Sequence, residues 1–261
     1  MQLHDANGRI GDQKQQLKEQ KELIDQKVAF GAAMQGLLDA AGKFDGVLVA
    51  SVVPFDSYQS VAERSWYHRW NPAALDRDIA TVLGDTDDLV ALLATAGTEA
   101  ATNSTGSTYE AVIDRLGAGF ATSVIDDADT LCEQDVLACV VSDDPTTVHF
   151  DAADSSLPYM NDWLKTGLAY HEFAHVLQFA NPVATEVAVK AFDGDDETMA
   201  DCFALTYLDG WALDHRVFVN RYQYWDVSIG YGYTCNETQK QAVRDWYGGL
   251  GFHAGPISQE H

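Results

Sequence analysis

Apolar side chains recur with a helical period over most of this chain and with a period of two in only one short stretch. Residues 12 to about 42 place Leu17, Ile24 and Leu38 at heptad intervals beside Leu23, Phe30 and Leu37, with charged and amide residues elsewhere. This predicts one long helix. Its first half is very polar, which leaves three roles open: a stalk from a membrane, a coiled-coil contact, or a helix lying along its own domain. Gly46 to Pro54 (GVLVASVVP) is a short valine-rich run ended by proline, either a buried strand or a helix end. Asn71-Pro72 supplies an N-cap with proline at the first helical position, and helices are expected at about 72–83, 86–96 and 107–117. Thr98 to Ser107, rich in small and hydroxyl residues, reads as a flexible loop.

From Ala138 the pattern changes. ACVVS, a turn at Asp143-Asp144-Pro145, and then TTVHFD from Thr146 to Asp151 predict a β-hairpin. A helix follows from about Asn161 to Phe179, stopped by Asn181-Pro182. Further helices are expected at roughly 183–192, 197–213 and 236–247, with an acidic turn at Asp193 to Asp196. The chain divides on this reading into a long N-terminal helix (1–45), a mainly helical part (46–130) and a C-terminal core (131–261). The fold class is α+β.

With 261 residues, 46% apolar, the chain can bury a full core in one large domain or two joined lobes. Forty acidic against sixteen basic side chains give a formal charge of −24, which repels phosphate backbones, and no basic stripe interrupts it. Nucleic acid is therefore not an expected partner. The acidic coat serves solubility, or steers basic substrates. No run of eighteen apolar residues occurs, and the opening MQLHDANGRIGDQKQQLKEQ lacks the layout of a signal peptide. An export signal or anchor, if used, lies outside this chain. The four cysteines show no Cys-x-x-Cys pair. Of the three pairings, Cys132 with Cys139 and Cys202 with Cys235 are favoured, the first for closeness in sequence, the second for tying the helix expected at 197–213 to the tail. Disulfides imply an extracytoplasmic or secreted protein; the alternative is four buried free thiols in a cytoplasmic one.

The chemistry lies in His171-Glu172-Phe173-Ala174-His175, a His-Glu-x-x-His pattern on a predicted helix. Four residues turn through about 400°, so both imidazoles leave one face and can share a tetrahedral ion. Glu172 stands beside them, free to act as general base on a metal-activated water. A second signature follows: Glu197 lies 22 residues after His175, and Asp201 four residues further on. If this segment is helical, Glu197 and Asp201 share a face, one ligating zinc and the other accepting a hydrogen bond from a ligand histidine. Asp195, Asp196 or Asp201 could replace Glu197 as third ligand. The open fourth position suits a catalytic rather than a structural ion, one zinc per chain.

These residues carry a resemblance. Glu-x-x-x-Asp after His-Glu-x-x-His resembles the gluzincin arrangement of thermolysin-like peptidases. HEFAHVLQ followed by ETMADCFA resembles the bacterial neutral zinc metallopeptidases, whose members read His-Glu-x-Gly-His-His-x-Gln and then Glu-Leu-Gln-Ala-Asp-Cys-Phe-Ala. The match covers about residues 146–213; Ala174 and Val176 depart from it. The resemblance implies a zincin-like core with a small mixed sheet, an active-site helix and a helical C-terminal part. It implies His171, His175 and Glu197 as ligands, Glu172 as base and Asp201 as the acid behind the ligands. It also implies that Thr146 to Asp151 is the edge on which an extended peptide pairs. The metzincin pattern is excluded, because Phe179, Ala180 and Asn181 stand where its Gly and His would be.

An oxyanion donor is also needed. His215, Tyr222, Tyr224, Tyr231, Tyr233 and His253 are candidates, with Tyr231 and Tyr233 placed first by the Gly-Tyr-Gly-Tyr loop. His149 on the expected edge strand faces cleft, core or solvent. His4, His68 and His261 have no partner pattern, and Asp126, Asp127 and Asp129 read as a solvated turn without the glycine and glutamate of a calcium loop. The expected activity is hydrolysis of peptide or protein substrates. The rival is an extracytoplasmic binding or scaffold module with a structural zinc.

Overall fold

A computed structural model describes residues 2–49, 55–132, 135–232 and 235–251. The fold is α+β, mostly helical with a small mixed sheet, and separates into two compact units. One comprises residues 1–45, 53–92 and 253–261; the other comprises 46–52 and 93–252.

The first unit contains α1 (Gln2–Ala41), α2 (Phe55–His68) and the larger part of α3 (Pro72–Thr102). The heptad series on α1 divides in two. Leu17 and Ile24 are exposed and Leu38 is half-buried, whereas Leu37 beside it is buried together with Ala33, Met34 and Ala40. The predicted breaks in α3 do not occur, and Thr98 to Thr102 belong to the helix rather than to a loop. An interior glycine costs about 1 kcal/mol, but Leu75, Val82, Leu89 and Ala96 recur every seven residues as a buried face that offsets Gly84. Thr98 and Thr102 return their hydroxyls to the carbonyls four residues back. His68, without an evident partner in the sequence, pairs with the buried Asp78 at 2.7 Å, which also receives Arg64 at 3.0 Å. Of the Gly46–Pro54 run, Gly46 to Val49 form a turn and bend, and the remainder lies outside the described residues.

The second unit holds α4 (Thr108–Gly117), β1 (Thr122–Asp126), β2 (Ala138–Val141), β3 (Asp144–Asp151), α5 (Ala152–Ser155), α6 (Asp162–Ala180), α7 (Pro182–Ala188), α8 (Asp196–Tyr207), β4 (Asp214–Asn220), β5 (Gln223–Ser228) and α9 (Glu237–Gly249). The predicted hairpin is β2–β3, but β3 is not an edge. The sheet order is β1-β3-β2, with β1 parallel and β2 antiparallel to β3. β1, five residues with a mixed burial pattern, gives too short a signal to recognise in advance. It occupies the far side of β3, so the outer strands among the described residues are β1 and β2.

α6 is the structural centre. Asn161 caps it by accepting a hydrogen bond from Leu164 N at 3.0 Å. The helix packs on β2, β3, α4 and α8, so apolar residues surround it rather than line one stripe. Phe173, Ala174 and Leu177 share the core with Val148, Phe150, Met199 and Phe203. Close packing is visible at Gly167, where a Cβ would lie 2.1 Å from the Trp211 ring. α8 begins after Asp193 and Gly194, both left-handed (φ 56° and 85°), and Asp195 caps it on Thr198 N. It ends at Tyr207, short of the expected 213. The β4–β5 hairpin was not foreseen, because both its faces are largely exposed and no apolar alternation marks it. Two disulfides, Cys132–Cys139 and Cys202–Cys235, join the pairs favoured from the sequence. Among the described residues no helix is long and apolar enough to cross a membrane.

Candidate metal centre

α6 presents His171 and His175 one turn apart, and α8, packed across it, presents Glu197 from its first turn. The three donor atoms converge closely. His171 Nε2, His175 Nε2 and Glu197 Oε2 are each 3.1 Å from the other two. Each imidazole is oriented from behind. His171 Nδ1–H donates to Asp201 Oδ1 at 2.8 Å, and His175 Nδ1–H donates to Gln178 Oε1 at 2.7 Å. With both protons on Nδ1, the two Nε2 lone pairs and a carboxylate oxygen would face one another, a repulsion that a shared proton or a metal cation relieves. Ligands of a tetrahedral zinc at about 2.0–2.1 Å stand about 3.3 Å apart, close to the spacing here. The residues fit a zinc ion.

The supporting layer is as ordered as the ligands. Asp201, on the face of α8 shared with Glu197, is buried and accepts a second hydrogen bond from Tyr231 N–H on Oδ2 at 2.9 Å. Gly230 beside it has φ +107°, and a Cβ there would lie 2.6 Å from Asp201 Oδ1. Gln178 is itself held by donating Nε2–H to Asp196 O at 3.0 Å. No role was assigned to Gln178 or Gly230 from the sequence. The signal for Gln178 was its position three residues after His175, on the same helix face; Gly230 carried no signal, since its neighbour Asp201 is 29 residues away in the chain.

Glu172 is buried, and its Oε2 has no hydrogen-bond partner among the described residues. Burial raises its pKa, and although His171 and His175 draw it down and Glu197 and Asp201 push it up, the net direction is upward. Without an ion, burial lowers the His171 imidazole, but Asp201 and Glu197 outweigh it and lift it to about 10. Burial likewise pushes Glu197 up, and the two histidines hold it far below the usual carboxylate range. A cation in place of that proton would serve the same negative charges.

The centre opens into a cleft of about 370 Å³. Leu137 to Val140 along β2 form one wall, and Trp211 and Ser228 to Tyr231 line it elsewhere. Thr146 to Asp151, expected as a free edge, is paired on both sides as β3, and the outer strand that lines the cleft is its hairpin partner β2. The Tyr231 ring lies beside His171, with centroids 6.1 Å apart. Tyr233 and His253 lie outside the described residues. His215 packs on Trp211 behind the cleft, and Tyr222 and Tyr224 project from the β4–β5 hairpin. His149 pairs with Asp126 at 3.0 Å rather than facing the cleft. Asp195 is committed to its cap, Asp196 offers its backbone carbonyl to Gln178, and Asp201 is turned to His171 Nδ1, which leaves Glu197 as the acid that meets both Nε2 atoms.

Compared with protein-family models, with curated proteins and with solved structures, the chain matches none of them, so the site's own geometry carries the functional conclusion.

Proposed function

We propose that the chain is a zinc-dependent peptidase of zincin type with gluzincin-like ligand order. The observation that carries this is the convergence of His171, His175 and Glu197 at the floor of an open cleft, next to a buried carboxylate with an unengaged oxygen. Zinc held by these three residues supplies Lewis acidity, polarising a carbonyl and acidifying water.

The protein's own groups do the rest. Asp201 and Gln178 hold the imidazoles in the tautomer that directs Nε2 inward. Glu172 Oε2 accepts the proton of the attacking water and returns it to the leaving amine nitrogen. Its raised pKa brings it closer to the working pH of a general base. The backbone along the free edge of β2 pairs with an extended peptide and aligns the scissile bond over the centre. Tyr231, beside His171, is the described candidate for stabilising the oxyanion. The two disulfides suit an oxidising compartment, so the enzyme acts outside the cytoplasm.

The test is elemental analysis of the purified protein and of His171→Ala, followed by a peptide-library assay of wild type and Glu172→Gln. The expected result is about one zinc per chain, lost in His171→Ala and retained in Glu172→Gln, with hydrolysis abolished in both. Absence of zinc even after reconstitution would overturn the reading in favour of a binding module. Undiminished hydrolysis by Glu172→Gln would overturn the base.

A further inference from the structure

A second convergence of acids lies outside the cleft lining. Glu99, on the last turns of α3, and Glu110 and Asp114, four residues apart on α4, each bring a carboxylate oxygen within 4.8 Å of the other two. Glu110 is fully buried and Asp114 is 7% exposed. Like charges at this helical spacing repel, and no ion pair reaches any of the three among the described residues.

The two buried acids are treated differently. Glu110 Oε1 accepts hydrogen bonds from Ser104 N and Ser104 Oγ, both at 2.8 Å, and Oε2 accepts one from Thr105 N. Burial raises its pKa, but these donors outweigh it and keep it below the ordinary range, so Glu110 is ionised. Asp114 Oδ1 is buried and accepts nothing. Burial, then Glu110, then Glu99 push its carboxyl up to about 6. A buried carboxyl with one oxygen lacking any donor, in a group that brings an oxygen within 4.8 Å of two other acids, is an arrangement native cores avoid unless a proton or a ligand completes it.

We infer that Glu99, Glu110 and Asp114 form a cation site separate from the zinc centre, with calcium as its ion. The donors are all oxygens, which select hard cations over zinc. Calcium tolerates an irregular shell completed by water, whereas magnesium demands near-octahedral order. Glu110, already fixed by three donors, has little freedom to supply that order. The ion would tie the end of α3 to α4 across the Asn103–Ser107 loop, in which Asn103 and Gly106 are left-handed (φ 43° and 67°). α4 in turn packs on α6, the helix of the zinc ligands.

The experiment is thermal unfolding of the full chain, dialysed into calcium-free buffer near pH 7.5 and titrated with calcium chloride, for wild type, Asp114→Asn and Glu99→Gln. Saturating calcium should raise the wild-type midpoint by roughly 5 °C, and each variant should lose most of that rise. Without calcium, Asp114→Asn should melt above wild type, because a buried charge has been removed, and calcium should reverse the order. Magnesium at equal concentration should act weakly, and calcium should slow proteolytic cutting at residues 103–107. An equal calcium response in wild type and Asp114→Asn would reduce the effect to diffuse binding on the acidic surface and overturn the site. An equal response to magnesium would overturn the choice of ion.

Discussion

Gly230→Ala tests whether the backbone behind the ligands controls the metal. The added Cβ would stand 2.6 Å from Asp201 Oδ1 and 2.9 Å from Oδ2, closer than real contacts allow. Asp201 cannot easily swing away, since it is 2% exposed and bound to His171 Nδ1 and Tyr231 N. Either the 230–231 backbone retreats and its hydrogen bond is lost, or Asp201 shifts and His171 loses its orientation. Disturbing such an outer partner costs about 10–100-fold in metal affinity, equivalent to about 1.4–2.7 kcal/mol. Alanine at φ +107° adds backbone strain of about 1–3 kcal/mol. Gly232→Ala separates the two effects: its φ is +79°, but a Cβ there meets nothing within 4 Å. Zinc affinity by chelator competition and the unfolding midpoint would be measured for both variants. Both should lower the midpoint, and only Gly230→Ala should weaken zinc by at least about tenfold. Equal zinc affinities in wild type and Gly230→Ala, or equal losses in the two variants, would refute the reasoning.

Gln178→Ala should free His175 Nδ1 and weaken zinc about tenfold, while Gln178→Glu, which keeps an acceptor, should restore much of the affinity. Gly167→Ala drives a methyl into the Trp211 ring, and overpacking there should cost about 1–3 kcal/mol, read from denaturant unfolding. Replacing Cys202 and Cys235 by serine opens a loop with a sequence separation of 33. It should destabilise the fold by about 2–4 kcal/mol and loosen the start of α9 from α8, as hydrogen exchange would show. In calcium-free buffer Asp114 gives a pH signature. Its pKa is raised from 3.8 to about 6, so its stabilising contribution is full below pH 3.8 and is lost as pH rises through about 6. Asp114→Asn should remove that slope from the melting profile, and an unchanged slope would contradict the assignment.

The convergence of His171, His175 and Glu197 as candidate ligands was legible because α-helical spacing can itself supply coordination geometry. His171 with His175, and Glu197 with Asp201, are i,i+4 pairs whose shared faces follow from 3.6 residues per turn. The Cys132–Cys139 disulfide, the β2–β3 hairpin and the cap at Asn71 were also readable, since each depends on residues near in sequence. Several features were not. Whether β3 was edge or centre depended on β1, brought in from more than twenty residues upstream, so β3 is central and the outer strand at the cleft is β2. The continuity of α3 depended on a buried face that outweighs Gly84. Gly230 and Tyr231 N–H carry no local pattern, and although Glu110 and Asp114 are an i,i+4 pair, their meeting with Glu99 is not legible, because these partners come together only when helices and loops pack. Local periodicity set the chemistry each helix could present, and only tertiary packing decided what stands behind it, since hydrogen bonding and steric contact between distant residues leave no period in the chain.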